Sequence, residues 1–474
     1  MLVNTYQNQK YCYSPEDNSI VRGAGDNVPL EKSDRIQKVI FPVDRQLVEE
    51  AVQDHVSSMT LGITENCNMR CAYCVYSGLF PDMRSHAPRS MCKETAMAAV
   101  DWLRKHSQKA DHVSLYFFGG EPLLHFDLIR DVVQYAEATI GQDRFRFHIS
   151  SNGTLISEEF AQWFADKDNR NIVITLNGPE ELHDRLRLYS GQPHSSPFRD
   201  TMAGIERIRK RLKDDAFVAR VSFLANYANV KEFVNIYKWY QEHRIQNVQF
   251  IPIILPPDSE LKKKICSTSA YQERYMIRET YSQMMNEAVK SDEMPPFFRS
   301  KYSLLTAIHY RQQTAGRITV HPGFCVPFYT RCFVDVEGNL KFCEKTDALR
   351  AYGSVYQGKL DFDLLEKDLD FMSWLIDSVL ECRNCPAVRM CQLCGANFLG
   401  IKQAQNVEVL KKWFLATCQK MRETLRRELT LYCSFLETAP GLLEALTAPD
   451  GNVYMIEKRE QAIARILNGM DKNI

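Results

Sequence analysis

The chain has 474 residues, of which 45% are hydrophobic and 25% charged; this is the make-up of a globular protein with ample core, and the length suits about two or three domains. Lysine plus arginine balances aspartate plus glutamate at 59 each, so no net field draws the chain to nucleic acid or to an anionic membrane. No apolar run approaches the roughly 18 residues of a membrane-spanning helix, and Met1–Tyr6 lacks the charged and apolar regions of a signal peptide, so the expected location is cytoplasmic.

In chain order, residues 1–55 form an N-terminal extension. Tyr11 and Tyr13 share one face of a strand, Ser14-Pro15-Glu16-Asp17-Asn18 reads as a turn, and Ile20-Val21-Arg22 returns as a second strand. A helix over 45–54 leads into the next region. From about 57 to 255, strand patterns at Met59–Ile63, Val113–Phe118, Phe145–Ile149, Ile172–Leu176, Phe217–Phe223 and Val248–Ile253 alternate with helical patterns near 93–106, 125–139, 157–166, 199–212 and 230–242. Alternation of this kind predicts an α/β fold with a parallel sheet and right-handed crossovers, open or curled into a partial (β/α)6 barrel, with its chemistry at the carboxyl ends of the strands. Residues 256–319 read as a helical bridge broken at Pro295-Pro296, 320–435 as a cysteine-rich domain, and 436–474 as closing helices. A long helix is expected from near 405, with Met421, Leu425, Leu429 and Tyr432 on one stripe.

Fifteen cysteines are many for a chain in a reducing compartment, where structural disulfides are disfavoured and clustered thiols read as metal ligands. Eleven fall in clusters: Cys67, Cys71 and Cys74; Cys325, Cys332 and Cys343; Cys382, Cys385, Cys391 and Cys394; and Cys418. The scattered Cys12, Cys92, Cys266 and Cys433 read as small packing residues. Cys67-x3-Cys71-x2-Cys74 offers three thiolates to a cluster that ordinarily takes four. A four-iron cluster held this way keeps one iron open to a small ligand, which marks a reaction centre.

With these residues in view, the chain resembles the radical S-adenosylmethionine (SAM) enzymes, whose motif matches Cys67, Cys71 and Cys74 with the aromatic Tyr73 before the last cysteine. The resemblance implies that SAM binds the open iron and is cleaved by one electron to a 5′-deoxyadenosyl radical, which takes hydrogen from a substrate; the cofactors perform that chemistry and the protein holds and shields them. It covers about residues 57–435. Phe118-Gly119-Gly120-Glu121-Pro122-Leu123 matches the family loop that contacts the SAM amino group. Paired glycines there let the backbone approach a ligand, although they also suit a tight strand-to-helix turn. Ser150-Ser151-Asn152-Gly153-Thr154 resembles the family's Thr-Asn-Gly-Thr loop, and Thr175-Leu176-Asn177-Gly178-Pro179, continued by His183-Asp184-Arg185, stands where relatives read Ser-x-Asp-Gly-Pro. Thr175 keeps the hydroxyl, whereas Asn177 keeps one carbonyl acceptor and loses the charge. By this resemblance the cofactor-binding set is Tyr73, Gly119, Gly120, Glu121, Pro122, Ser150, Asn152, Thr175, Asn177 and Arg220, the last as a partner for the SAM carboxylate or else a surface ion pair.

The later cysteines resemble a SPASM domain with two auxiliary clusters, although the spacing from Cys391 to Cys394 is one residue short of the family's usual one. The family pattern implies that Cys325, Cys332, Cys343 and Cys394 hold one cluster and Cys382, Cys385, Cys391 and Cys418 the other, giving three [4Fe-4S] clusters and SAM in all. Taken alone, the Cys-x2-Cys pairs also suit zinc. Glu344, next to Cys343, stands where related maturases place a base, or is a solvated carboxylate between Lys341 and Lys345.

The segment after Cys74 and Arg84-Ser85-His86 look like maturases of ribosomally made peptides. That implies a precursor peptide with a leader as substrate, an external electron donor such as flavodoxin or ferredoxin, and no nucleic-acid or membrane partner. The leading expectation is a thioether cross-link from a cysteine sulfur to carbon. Alternatives are a carbon–carbon cross-link, a sulfatase-type oxidation of Cys or Ser to formylglycine, and, in a different class, a zinc-ribbon binding protein. Residues 1–55 suit either capture of a leader as an added strand or a structural cap.

Overall fold

The computed structural model describes residues 1–15, 18–23, 38–40, 45–80, 83–191, 195–253, 255, 259–265, 270–299, 304–309, 318–320, 327–328, 332–346, 351–391, 393–394 and 407–446. Cys266 and Cys325 lie outside them, as do most of the closing helices expected after 436. The chain forms two compact units: a terminal unit of Met1–Glu49, Arg278–Val326 and Phe362–Ile474, and a central unit of Glu50–Ile277 and Pro327–Asp361. Among the described residues no helix is long and apolar enough to cross a membrane.

Six parallel strands build the central unit: β5 (Ser58–Thr64), β6 (Val113–Gly119), β7 (Phe145–Ser151), β8 (Arg170–Thr175), β9 (Val221–Tyr227) and β10 (Val248–Pro252). They lie side by side in chain order, with α2 (Lys93–His106), α3 (Phe126–Ile140), α4 (Glu158–Ala165), α6 (Pro197–Arg211) and α8 (Val230–Glu242) between them. The sheet is open rather than closed into a barrel. Beyond β5 it continues through β12 (Phe333–Val334), which is parallel to β5, and then antiparallel β13 (Asn339–Lys341) and β14 (Gly353–Ser354). Residues 327–361, grouped with the cysteine-rich domain in the sequence, thus pack with the parallel core.

Successive strand residues face opposite ways, and the burial pattern keeps that period. Val113, Leu115 and Phe117 of β6, Phe145, Phe147 and Ile149 of β7, and Ile172 and Ile174 of β8 are buried on one face. Phe147 meets Trp163 of α4 on this face, which identifies it as the one the helices cover. The alternate residues Tyr116, Phe118, His148, Ser150, Val173 and Thr175 are only half-buried. They form the opposite face of the sheet.

Two elements depart from the sequence reading. The fifth strand is displaced to Val221–Tyr227, because Asp214–Arg220 forms a helix, α7, with Asp214 and Asp215 in its first turn and Arg220 in its last. That charge order suits the helix dipole, and Phe217 is buried on the helix. A further helix, α5 (Glu180–Leu186), follows β8.

In the terminal unit the expected hairpin forms as β2 (Lys10–Tyr13) and β3 (Ile20–Arg22), with β1 (Leu2–Asn4) added antiparallel to β2. The long helix, α14, spans Val407–Thr438, and Leu425, Leu429 and Tyr432 are buried. The Thr5 hydroxyl donates to Glu437 at 3.0 Å and the Tyr6 N–H to the Ser434 hydroxyl at 3.1 Å, which fasten the N-terminal strands to that helix.

Candidate functional site

Cys67, Cys71 and Cys74 lie in the loop that leaves the carboxyl end of β5, and the loop after β6 clamps them. Gly120 N–H donates to Thr64 O at 2.7 Å and Glu121 N–H to Asn66 O at 2.9 Å. A Cβ on Gly119 would stand 2.2 Å from Thr64 O, and one on Gly120 would stand 2.0 Å from Asn66 O. The paired glycines therefore let the two loops touch backbone to backbone. Close approach to a ligand, the role read from sequence, is here close approach to the cysteine loop itself.

The Glu121 side chain is equally committed. It is 1% exposed and accepts hydrogen bonds from Leu123 N–H (3.0 Å), the Ser151 hydroxyl (2.9 Å) and Asn152 N–H (2.7 Å). Burial raises its pKa against the pull of those donors. Pro122 opens the 3-10 turn Pro122–His125 that follows. The Asn152 amide donates to Asn68 Oδ1 at 2.8 Å and stands 4.0 Å from Cys67 Sγ, and Asn68 donates to the Thr154 hydroxyl at 2.9 Å. The loop after β7 thereby fixes the residues flanking Cys67.

All three cysteines are half-buried, and backbone N–H groups already point at two of the sulfurs: Met69 at Cys67 (3.3 Å) and Tyr76 at Cys74 (3.4 Å). Burial, with Glu121 behind it, pushes the Cys67 thiol up to about 12, and burial also raises Cys74. Only the thiolate ligates metal, so loading this site releases protons. His86 stands 3.7 Å from Cys74 Sγ through Nε2, and its Nδ1 faces Glu65 O at 3.3 Å. Glu65, just before the motif, is gripped by Arg89 through two contacts of 2.8 Å, and Arg89 also reaches Glu337 in the β12–β13 turn at 2.6 Å.

A buried cation facing the thiols is Arg187, which the sequence reading passed over. It is 3% exposed; Nε donates to His183 Nε2 (3.1 Å) and Nη1 to the Tyr73 hydroxyl (3.2 Å). Burial works against its charge, but Cys71, Tyr73 and Cys67 beside it hold its pKa above the ordinary value. The motif His183-Asp184-Arg185 was the available signal, because it continues two residues on to Arg187. Its other members are structural: Asp184 accepts from Phe198 N–H at 2.9 Å, and Arg185 pairs with Glu232 at 2.6 Å.

The remaining sequence candidates separate. Asn177 is 1% exposed; its amide donates to the Tyr73 hydroxyl (3.1 Å) and its Oδ1 accepts from Asn226 N–H (3.0 Å), so it braces the cysteine loop. Tyr73 is held through its hydroxyl by Asn177, Arg187 and Asn226. Ser150 and Thr175 lie on the half-buried face near the carboxyl ends of β7 and β8. Arg220 is a correction: it ends α7 at the amino end of the sheet, where its guanidinium donates to the carbonyls of Lys167 and Asp168. It is therefore not at the thiols.

His183 makes a pH prediction. Burial, then the charge of Arg187, pushes its imidazole down to about 2 from 6.5. The folded value lies below the unfolded one, so the unfolded chain binds the extra proton between them. The stability contribution is complete above about pH 6.5 and is lost as pH falls, at about 1.4 kcal/mol per unit. Urea midpoints measured from pH 7 to 5 are expected to fall, and His183→Gln is expected to flatten that slope; an equally steep slope in the variant would remove His183 as its source.

Cys332 and Cys343 are buried at the two ends of the β12–β13 hairpin, and Cys332 O accepts from Thr60 N–H at 2.7 Å. Because β12 runs parallel to β5 and β13 returns, Cys343 and Glu344 lie toward the amino ends of the core strands. Some five residues of strand separate that level from the cysteine loop, roughly 15–20 Å. Glu344 Oε2 is shielded from solvent with no hydrogen-bond partner among the described residues. In the terminal unit, Cys382 and Cys385 bracket one 3-10 turn, Cys385 N–H donating to Cys382 O at 3.0 Å, and Cys391 follows a second. Cys385, Cys391 and Cys418 stand close enough to feel one another's charge, and burial pushes Cys391 up to about 12. Among the described residues no three His, Cys, Asp or Glu side chains converge as they would around a single ion.

Residues 61–251 match the family model of the radical SAM superfamily. A cysteine-type anaerobic sulfatase-maturating enzyme of Clostridium novyi is 29% identical over 196 residues, which cover 41% of this chain and 50% of that one. The radical SAM cyclopropyl synthase TigE of Paramaledivibacter caminithermalis is 21% identical over 195 residues, covering 39% of this chain and 40% of that one. The chain thus spans about half the length, or less, of these curated relatives. The solved structure of native anSMEcpe with bound AdoMet and Cp18Cys peptide aligns with a TM-score of 0.55 at 18% identity, over 82% of this chain and 98% of that one, and shares its fold. Residues 61–251 thus form a radical SAM domain, set in an α/β fold that the solved anSMEcpe structure shares.

Proposed function

We propose that this chain is a radical SAM peptide maturase that installs a thioether cross-link in a ribosomally made precursor peptide, supplied with electrons by a carrier such as flavodoxin or ferredoxin. The carrying observation is the three-thiol loop at the carboxyl ends of the strands, with buried Arg187 against it. A [4Fe-4S] cluster fits this donor set of half-buried thiols, with backbone N–H groups at the sulfurs and a cation alongside. Cluster and SAM, when bound, supply the hydrogen-abstracting radical; the residues described here bind and enclose them.

In this reading Arg187 offsets the negative charge of the thiolates and of the SAM carboxylate, and Ser150 and Thr175 line the face on which SAM lies. Cys382, Cys385, Cys391 and Cys418, all in the terminal unit, hold an auxiliary cluster. The half-buried strand face, carrying stacked Tyr116 and His148 with ring centroids 4.3 Å apart, runs from the cysteine loop toward Glu344 and forms the bed for the peptide. Residues 1–55 act as a structural cap, a reading supported by the bonds of Thr5 and Tyr6 to Glu437 and Ser434. Formylglycine formation is the second reading, favoured by the similarity to a sulfatase-maturating enzyme.

The test is mass spectrometry of Cys-containing peptides co-expressed with the protein. A cross-link appears as loss of two hydrogens with the sulfur retained; formylglycine from cysteine appears as exchange of sulfur for oxygen together with loss of two hydrogens. An unchanged peptide alongside active SAM cleavage would overturn both. In this scheme the unpartnered Oε2 of Glu344 takes a proton from the substrate. Glu344→Gln is expected to cleave SAM at the wild-type rate while product formation falls on the order of 100-fold. Full product yield would remove Glu344 from the chemistry.

A further inference from the structure

We propose that Arg422 sets the reduction potential of the cluster held by Cys385, Cys391 and Cys418, by placing its guanidinium against the sulfur of Cys385. The inference rests on the auxiliary-cluster reading above. Arg422 and Cys418 are four residues apart on α14, hence on one face of the helix, one turn from each other. Arg422 Nη1 donates to Cys385 Sγ at 3.9 Å, a sulfur contributed by the 3-10 turn Cys382–Asn384 and the residue after it. The same charge acts on Cys391 and Cys418, where it opposes the mutual repulsion of the thiols. Among the described residues no carboxylate pairs with Arg422, so the sulfur is its contact. The side chain is half-buried, which leaves its charge only partly screened.

Cluster potentials follow net charge, hydrogen bonds to the sulfurs and solvent exposure. Arg422 acts through the first two. In the couple concerned, one electron from a donor such as dithionite adds to the cluster, with no bond made or broken. A fixed cation with an N–H on a ligand sulfur favours the more negative, reduced form. Because arginine stays protonated at any working pH, the effect is constant rather than pH-switched. No comparable cation was legible in the cysteine spacing; only the helix, by carrying Cys418 and Arg422 together, brings it to the site.

The experiment uses the full-length protein, anaerobically reconstituted with iron and sulfide, in a dithionite titration followed by electron paramagnetic resonance. Arg422→Gln is expected to move one cluster's midpoint to more negative potential, with about tenfold less reduced cluster at fixed potential, equivalent to ~59 mV for a one-electron couple. The other midpoints stay in place, and Arg422→Lys, which keeps the charge, recovers most of the shift. Wild-type iron content with unmoved midpoints in the Gln variant would overturn the proposal. So would a Lys variant as displaced as Gln, which would assign the residue to packing. If the Gln variant loses iron, the Lys variant decides: iron and midpoint near wild type support the proposal, and a displaced midpoint overturns it. Wild-type protein that holds only one cluster, or zinc at the later cysteines, would instead remove the auxiliary-cluster reading beneath it.

Discussion

Cys71→Ala is expected to reduce SAM cleavage to background while the protein stays folded. The residue sits in a loop, half-buried, and its backbone carbonyl accepts from Cys74 N–H at 3.0 Å, a bond that alanine preserves. Loss of one small, half-buried side chain from a loop therefore costs little stability. The donor set, by contrast, falls from three thiols to two, and Arg187 loses one of the groups that hold its charge. Release of 5′-deoxyadenosine under dithionite, with circular dichroism as the folding control, measures both halves. Normal cleavage by Cys71→Ala would overturn the assignment of the first cysteine group. Failure to fold would show that the thiol's main contribution is to the loop.

Gly120→Ala is expected to be as damaging, by a different route. The added methyl carbon would fall 2.0 Å from Asn66 O, which is backbone and cannot rotate away. Either the hydrogen bonds Gly120 N–H to Thr64 O and Glu121 N–H to Asn66 O break, or the cysteine loop shifts with Cys67 in tow. Overpacking of this severity costs about 3 kcal/mol. The expected result is a lowered urea midpoint together with poor iron loading. Gly441→Ala, with nothing within 4 Å of its Cβ position, is the control and is expected to leave both unchanged. A Gly120→Ala protein with native stability and full iron would mean that the two loops are not packed as described.

The parallel core was legible in the sequence because its strands and helices are long and strongly periodic. Lys93–His106 and Val230–Glu242 stand where the pattern puts them. The fifth strand was misplaced because Phe217-Val218-Ala219 is apolar at either period; the acidic start and basic end of that segment were the cue to a helix. Cysteine spacing and the glycine pair located the site, but not the job of each residue in it. Nothing in a linear pattern distinguishes an asparagine that meets a ribose from Asn177, which braces Tyr73 and β9. Arg187 and Arg220 exchange importance for the same reason. Which end of the sheet an arginine reaches depends on whether it follows or precedes a strand, and the displaced fifth strand put Arg220 on the wrong side of that boundary.

The two-residue pairing of β12 with β5 reaches beyond its cysteines. By bonding to Thr60 and Leu61 it gives the first core strand a neighbour on its outer side. A fragment ending at the helical bridge would leave that strand's N–H and C=O groups bare, a template on which copies of the fragment could stack. Residues far along the chain thus act as the selvedge of a fabric woven long before them, and solubility of the catalytic core is inherited from a segment that contributes no strand to its parallel interior.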